Sequence, residues 1–112
     1  ERLPVFENPD GVGWSINVSY NSKLERYFLT TEHTESHRGN LGIFDAPEPW
    51  GPWTTVLYDN SWGEGFIPLN TFYWNFANKW LSKDGKNFSL IFTGRKENDS
   101  FNLIRGKFIT DK

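Results

Sequence analysis

Gly13-Trp14-Ser15-Ile16-Asn17-Val18-Ser19-Tyr20 alternates apolar and polar side chains, and this stretch decides the fold. An apolar side chain at every second position is the pattern of a β-strand with one buried face. Polar, turn-prone residues follow at 21–25, and residues 26–32 are rich in aromatic and β-branched side chains. The sequence therefore predicts a β-hairpin. The buried face of its first strand is expected to consist of Trp14, Ile16, Val18 and Tyr20.

Two further strands are predicted beyond the hairpin. A polar loop at 33–39 leads into an apolar segment at 40–45, which ends where three prolines fall within residues 47–52. Residues 54–58 then form a short alternating run followed by turn residues. Four short strands in one such unit are the content of one β-propeller blade.

The second half of the chain repeats this arrangement. After a connection at 59–71 that contains Gly and Asn, aromatic residues resume at 72–76, and residues 82–90 align with 22–29 as a second turn followed by a strand. Internal repeats of this kind are typical of propeller blades. We therefore predict an all-β fold with antiparallel strands in two tandem β-propeller-blade-like sheets, 1–58 and 59–112. Because two blades cannot close a ring, the chain is expected to be a fragment of, or to assemble into, a larger propeller.

Composition limits the classes of function. The 112 residues are 18% aromatic, contain neither Cys nor Met, and carry a formal net charge of -2. A chain with this net charge lacks the excess of positive charge that binds the phosphates of a nucleic-acid backbone, so nucleic acid is not an expected partner. The sequence also has no apolar run long enough to span a bilayer, so no membrane partner is expected. The absence of Cys is compatible with any redox compartment.

The stretches 26–33, 41–53 and 79–86 resemble the last two blades of bacterial five-bladed β-propellers with a glycoside-hydrolase-like or sialidase-like architecture, many of unknown function. The segment Phe44-Asp45-Ala46-Pro47-Glu48-Pro49-Trp50-Gly51-Pro52-Trp53 is the most specific part of this resemblance. It implies carbohydrate as a ligand, with the remaining propeller blades or a second copy of the chain as protein partners. It also implies a secreted or periplasmic location. Any enzymatic activity would be glycoside-hydrolase-like and would depend on additional blades.

The stretch Ser82-Lys83-Asp84-Gly85-Lys86-Asn87-Phe88 is similar to the Asp-box turn of sialidase-like propellers. In that turn, Ser and Asp side chains bind the turn backbone and an aromatic side chain fills the core. An ordinary Asp-Gly hairpin turn is the alternative explanation.

Two carboxylates are weak candidates for catalysis. Glycoside hydrolysis uses two carboxyl groups about 5 to 9.5 Å apart. Glu32 and Asp45 each lie at a predicted strand end beside a loop, and the alternative for each is a solvated or capping carboxylate. His33 and His37 stand four residues apart in a predicted loop rather than on a helix, so no metal site is predicted, and no cofactor is expected.

Aromatic residues in loops give the stronger functional signal, because the apolar face of a sugar ring stacks on an indole or phenol ring. We expect four such residues to bind ligand: Trp50, Trp53, Trp62 and Tyr73. Five others are expected in the core: Trp14, Trp80, Phe88, Phe92 and Phe101. The hypothesis is glycan or polysaccharide binding through loop aromatics. The alternative is a structural or assembly module whose aromatic residues pack blade or subunit interfaces.

Overall fold

The computed structural model describes residues 6–7, 13–33, 40–59, 72–95 and 99–110. Within them the chain forms β-strands and one short 3-10 turn, Asn78–Trp80, and no α-helix. The prediction of an all-β fold is confirmed. The strands are β1 (Gly13–Asn21), β2 (Arg26–His33), β3 (Leu41–Ala46), β4 (Thr54–Asp59), β5 (Phe72–Phe76), β6 (Asn87–Arg95) and β7 (Asp99–Lys107).

The strands form two antiparallel sheets. The first has the order β1-β2-β3-β4 and the second the order β5-β6-β7, so every strand pairs with its neighbour in sequence. The predicted hairpin is confirmed, with Asn21 opposite Arg26 at its turn. In the second sheet the described residues supply three strands rather than the four expected of a blade. These strands do not close into a ring, and membership of a larger propeller stays a prediction.

The two sheets share one hydrophobic core. It is dominated by aromatic rings, which each bury about 150–250 Å² and therefore contribute much of the apolar burial. Phe28 of the first sheet stacks on Phe108 with ring centroids 4.5 Å apart. Phe88 and Phe92 are both buried in this core, as predicted. Its members are Phe28, Leu41, Ile43, Trp74, Phe76, Phe88, Leu90, Phe92 and Phe108.

Buried polar groups also join the sheets. Asn17 Nδ2 donates a 3.0 Å hydrogen bond to the main-chain oxygen of Trp74. Asn21 Nδ2 donates a 2.8 Å hydrogen bond to the main-chain oxygen of Gly85, in the connection between β5 and β6. Both asparagines belong to β1, so the polar positions of this strand face the second sheet.

The prediction for the apolar positions of β1 was wrong. Ile16, Val18 and Tyr20 are 52%, 49% and 43% exposed. Because successive side chains of a strand point to opposite faces, the inward direction of Asn17 and Asn21 turns these three outward. The fourth member of the predicted face, Trp14, has its side chain outside the part that the structure describes.

A second group of rings lies on the opposite face of the first sheet. Phe6 packs edge-on against Phe44 with centroids 4.7 Å apart. His33 stacks on Tyr58 at 3.9 Å and is fully buried. The placement of His33 in a polar loop was wrong, because it is the last residue of β2 and packs beneath a ring of β4. His37 lies outside the described residues.

Candidate functional site

The two candidate carboxylates lie far apart along the sheet. Glu32 is opposite Leu41 and Asp45 is opposite Phe28, so they are offset by the four residues from 28 to 32. At about 3.3 Å per residue this offset is roughly 13 Å along the strands. Glu32 is buried, with 3% of its surface exposed. The backbone positions of the two residues are therefore farther apart than the carboxyl separation that glycoside hydrolysis requires.

Asp45 is held by neighbouring side chains. Arg26 Nε donates a 2.9 Å hydrogen bond to Asp45 Oδ2, and Thr54 Oγ1 donates one of 2.5 Å to Oδ1. This ion pair lines a groove of about 600 Å³ between the ends of the two sheets, together with Leu24 and Lys86. Asp45 is the only acidic side chain among the described residues that line this groove. The arrangement can orient Arg26, but it offers no second carboxyl group.

The predicted aromatic binding residues have different environments. Trp50 lies in the Pro-rich connection between β3 and β4 and is 65% exposed. Trp53 is half-buried and packs edge-on against Phe6 at 6.3 Å. The Trp53 indole nitrogen is buried and has no hydrogen-bond partner within the described part of the chain. Trp62 and the side chain of Tyr73 lie outside the described residues.

Trp80 was predicted to lie in the core, but it is an exposed aromatic residue. That prediction was wrong, since 58% of Trp80 is exposed. The chain leaves β5 and makes a 3-10 turn, in which the Trp80 amide donates a 3.0 Å hydrogen bond to the oxygen of Ala77. Asn78 Nδ2 fixes this turn by bonding to the oxygen of Tyr20 at 3.2 Å. The polar residues Asn78 and Lys79 before Trp80, and Ser82 and Lys83 after Leu81, are the sequence signal that indicates a turn rather than a strand.

Trp80 borders a groove of about 630 Å³ on the second sheet. In the register of β6 and β7, Ser89 is opposite Arg105 and Phe88 is opposite Gly106. Because Phe88 points into the core, alternation places Ser89 and Arg105 on the other face, beside Trp80. We call this feature the Trp80 groove. Its lining includes Trp80, Leu81, Asn87, Ser89, Leu103 and Arg105.

A hydrogen-bonded turn supports one end of the Trp80 groove. Ser82 Oγ donates a 2.6 Å hydrogen bond to Asp84 Oδ1 and accepts one of 3.0 Å from the Asn87 amide. The Lys86 amide donates to the same Asp84 oxygen at 3.0 Å. The hydrogen bond from Ser82, with that from Lys86, lowers the pKa of Asp84. Ser82 and Asp84 thus bind the turn backbone, and Phe88 beyond them enters the core.

Gly85 lets this turn pack closely on the first sheet. Its φ of 75° lies in the left-handed region that favours glycine. A Cβ atom at this position would approach Asn21 Oδ1 and Lys23 Cβ to 2.6 Å. The turn at 82–87 is therefore fixed against the β1–β2 turn. Because Asn87 is the first residue of β6, the same contact positions the start of that strand.

Trp50 and Trp80, the indoles that are exposed among the described side chains, lie at the same end of the first sheet. Trp50 follows Ala46, whose partner on β2 is Tyr27. The turn that carries Trp80 is bonded to Tyr20, and Tyr20 also pairs with Tyr27. The strand ends near the β1–β2 turn therefore present both Trp50 and Trp80.

The part of the chain that the structure describes contains no group of three or more His, Cys, Asp or Glu side chains arranged to hold a metal ion. It also contains no helix with the length and hydropathy of a membrane span. Comparison of the chain with protein-family models, curated proteins and solved structures finds no match. Its function is therefore inferred from its own residues.

Proposed function

We propose that the protein is a carbohydrate-associated β-propeller segment that binds a glycan or polysaccharide through exposed aromatic side chains. The observation that carries this proposal is Trp80, an indole that is 58% exposed beside a groove lined by both apolar and polar side chains. Trp50, at the same end of the first sheet, is a second exposed indole. An exposed apolar patch rimmed by polar side chains marks an interaction site, and the exposed Leu103 lines the same groove as Trp80.

The residues around Trp80 suit the two kinds of surface that a sugar presents. The apolar face of a pyranose ring stacks on an indole ring, and the ring hydroxyls need hydrogen-bond donors and acceptors. The exposed side-chain amide of Asn87 and the exposed Arg105 guanidinium supply these at the same groove. Leu103 adds an exposed apolar side chain. A groove open along the sheet surface suits a chain of sugars better than a small enclosed molecule.

The positions of the two candidate carboxylates favour glycan binding without catalysis. Glu32 and Asp45 are offset by roughly 13 Å along the sheet, and Asp45 is engaged by Arg26 and Thr54. Catalysis, if the whole protein performs it, would be glycoside-hydrolase-like and would need residues from additional blades. A secreted or periplasmic location, where polysaccharides are encountered, belongs to the same proposal.

A structural or assembly module is the second candidate, and a different surface favours it. Ile16, Val18 and Tyr20 form an exposed apolar row on β1, an edge strand of the first sheet. Apolar rows and open strand edges are sites where another sheet can pack or pair. Under this candidate the partner would be a remaining propeller blade or a second copy of the chain.

The test is isothermal titration calorimetry with a panel of oligosaccharides and polysaccharides, with the same samples chromatographed for products. Trp80→Ala is expected to weaken binding about tenfold or more, because truncating a stacked aromatic anchor removes a large part of the contact energy. Val56→Ala, at an exposed position on β4 that does not line the Trp80 groove, is the control and should leave affinity unchanged. Heat on titration without products indicates a binding module. No heat across the panel, or equal loss in both variants, contradicts the proposal.

A further inference from the structure

We infer that the Trp80 groove is selective for acidic oligosaccharides, with Arg105 pairing with the carboxylate of a uronic acid residue stacked on Trp80. This inference rests on the proposed glycan-binding function and adds the chemical class of the ligand. Among the described residues, Arg26 and Arg105 both line grooves, and they differ in their partners.

Arg26 is already occupied, since its guanidinium bonds to Asp45 at 2.9 Å. Arg105 is exposed on β7, and its guanidinium has no ion-pair or hydrogen-bond partner among the residues that the structure describes. A guanidinium presents five N–H donors in a fixed planar fork, which matches the two oxygens of a carboxylate. Arg105 is therefore free to take a carboxylate from a ligand, whereas Arg26 is not.

The charge around the Trp80 groove favours an anion. Lys107 follows Arg105 by two positions on the same strand, and Lys79 immediately precedes Trp80. Both lysines are exposed. The described residues that line the groove include no acidic side chain. The nearest carboxylate in the adjoining turn, that of Asp84, already accepts hydrogen bonds from Ser82 and Lys86.

The distribution of groups in the groove fits a hexuronic acid. Its carboxylate lies at the rim of the pyranose ring, so one sugar can stack on an indole and still direct two oxygens sideways to a guanidinium. Ser89 is directly opposite Arg105 in the sheet, and Asn87 is opposite Lys107. The exposed Asn87 side-chain amide can bond to ring hydroxyls of the same or the next sugar, whereas Ser89 is buried. A neutral sugar would leave the Arg105 guanidinium without an anionic partner.

The test compares uronic acid oligosaccharides with their methyl-esterified counterparts by isothermal titration calorimetry. Oligogalacturonate and oligoalginate are used, because esterification removes the charge and keeps the sugar skeleton. We expect the wild-type protein to bind at least one acid form about tenfold more tightly than its ester, since hydrogen bonds to a charged group are stronger than those to a neutral one. Raising the salt to about 0.15 M or above should narrow this ratio.

Variants separate the roles of the two side chains. Arg105→Gln should bring affinity for the acid down to that for the ester and leave affinity for the ester unchanged. Arg105→Lys should retain part of the selectivity, because it keeps the charge and loses the fork. Lys23→Gln removes one exposed positive charge from the β1–β2 turn and should change neither affinity. Trp80→Ala should weaken both.

Each other outcome overturns a defined part of the account. Equal binding of acid and ester, with no effect of Arg105→Gln, overturns the selectivity and leaves glycan binding standing. Tighter binding of a sulfated oligosaccharide than of any uronic acid form overturns the choice of carboxylate. No binding of acid, ester or neutral oligosaccharides overturns the proposed function as well.

Discussion

Thr30 Oγ1 donates a 2.6 Å hydrogen bond to the main-chain oxygen of Trp74, and this bond connects β2 of the first sheet to β5 of the second. The same oxygen accepts a 3.0 Å hydrogen bond from Asn17 on β1. One carbonyl of β5 is thus held by two strands of the other sheet. Trp74 itself is almost fully buried and stacks on Phe92 with centroids 4.3 Å apart. Correct assembly of the sheets therefore depends on a polar contact inside an aromatic core.

Thr30→Val is expected to lower the free energy of unfolding by about 1 kcal/mol, because it removes one buried hydrogen bond and preserves side-chain shape. The effect is moderated because Asn17 still satisfies the Trp74 oxygen. Urea unfolding measures it. Thr55→Val, on the exposed part of β4, is the control and should change stability by less than about 0.5 kcal/mol. Equal stability of the two variants would mean that the bond does not hold the sheets together.

Gly106→Ala is expected to destabilise the protein by about 1–3 kcal/mol, since a Cβ atom there would overlap the Phe88 ring in a packed core. Thermal unfolding measures the change. Adding Phe88→Leu should relieve the overlap, so the double variant should lose less than the sum of the two single changes. Strict additivity would contradict the contact between Gly106 and Phe88.

The Asp84 turn predicts a pH-dependent contribution to stability. The hydrogen bond from Ser82, with that from the Lys86 amide, lowers the pKa of Asp84 in the folded protein. A lowered carboxyl pKa stabilises the fold above the unfolded-state value of about 3.9, and this contribution is lost as the pH falls through the folded-state value. Wild type and Asp84→Asn should therefore differ most at neutral pH and converge in acid.

Urea unfolding at a series of pH values checks this convergence. Glu25→Gln, an exposed carboxylate in the other turn, is the control. A difference between wild type and Asp84→Asn that is independent of pH would show that the Ser82 and Lys86 bonds do not act on the ionised form.

The exposed row on β1 predicts self-association of the isolated chain. Sedimentation velocity should show a concentration-dependent shift toward dimers or larger species, and Val18→Lys should suppress it by placing a charge in the row. Val56→Lys, at a similarly exposed position on β4, is the control and should have little effect. A wild-type protein that stays monomeric at all concentrations would count against both the assembly candidate and the two-blade interpretation.

The sequence was sufficient to predict the strand positions of the first sheet. Alternation and turn residues placed the hairpin, the Pro-rich break after β3 and the short β4 close to their observed bounds. It was not sufficient to predict which face of β1 is inward. Alternation fixes the period of a strand, but the choice of face depends on the second sheet, where Trp74 and Gly85 present carbonyls to Asn17 and Asn21.

The candidate site was predicted only in part. Trp50 was expected to be accessible because prolines prevent its segment from joining the sheet, and the structure agrees. Trp80 was missed because it follows the aromatic residues of β5 and was assigned to a strand, although the chain turns there. The proximity of Arg105 to Trp80 could not be predicted, since it depends on the β6–β7 register across a loop whose length the sequence does not constrain.

Titration of ¹⁵N-labelled protein with oligogalacturonate, followed by NMR, tests the central claim of a glycan-binding groove at Trp80 most directly. The chain has 6 Trp residues, and Trp80→Ala identifies the indole N–H signal of Trp80. The account predicts saturable shifts of that indole signal and of the Ser89, Leu103 and Arg105 amides, with the Ile16 and Val18 amides unchanged. Shifts confined to β1, or no shifts with any oligosaccharide tried, would contradict it.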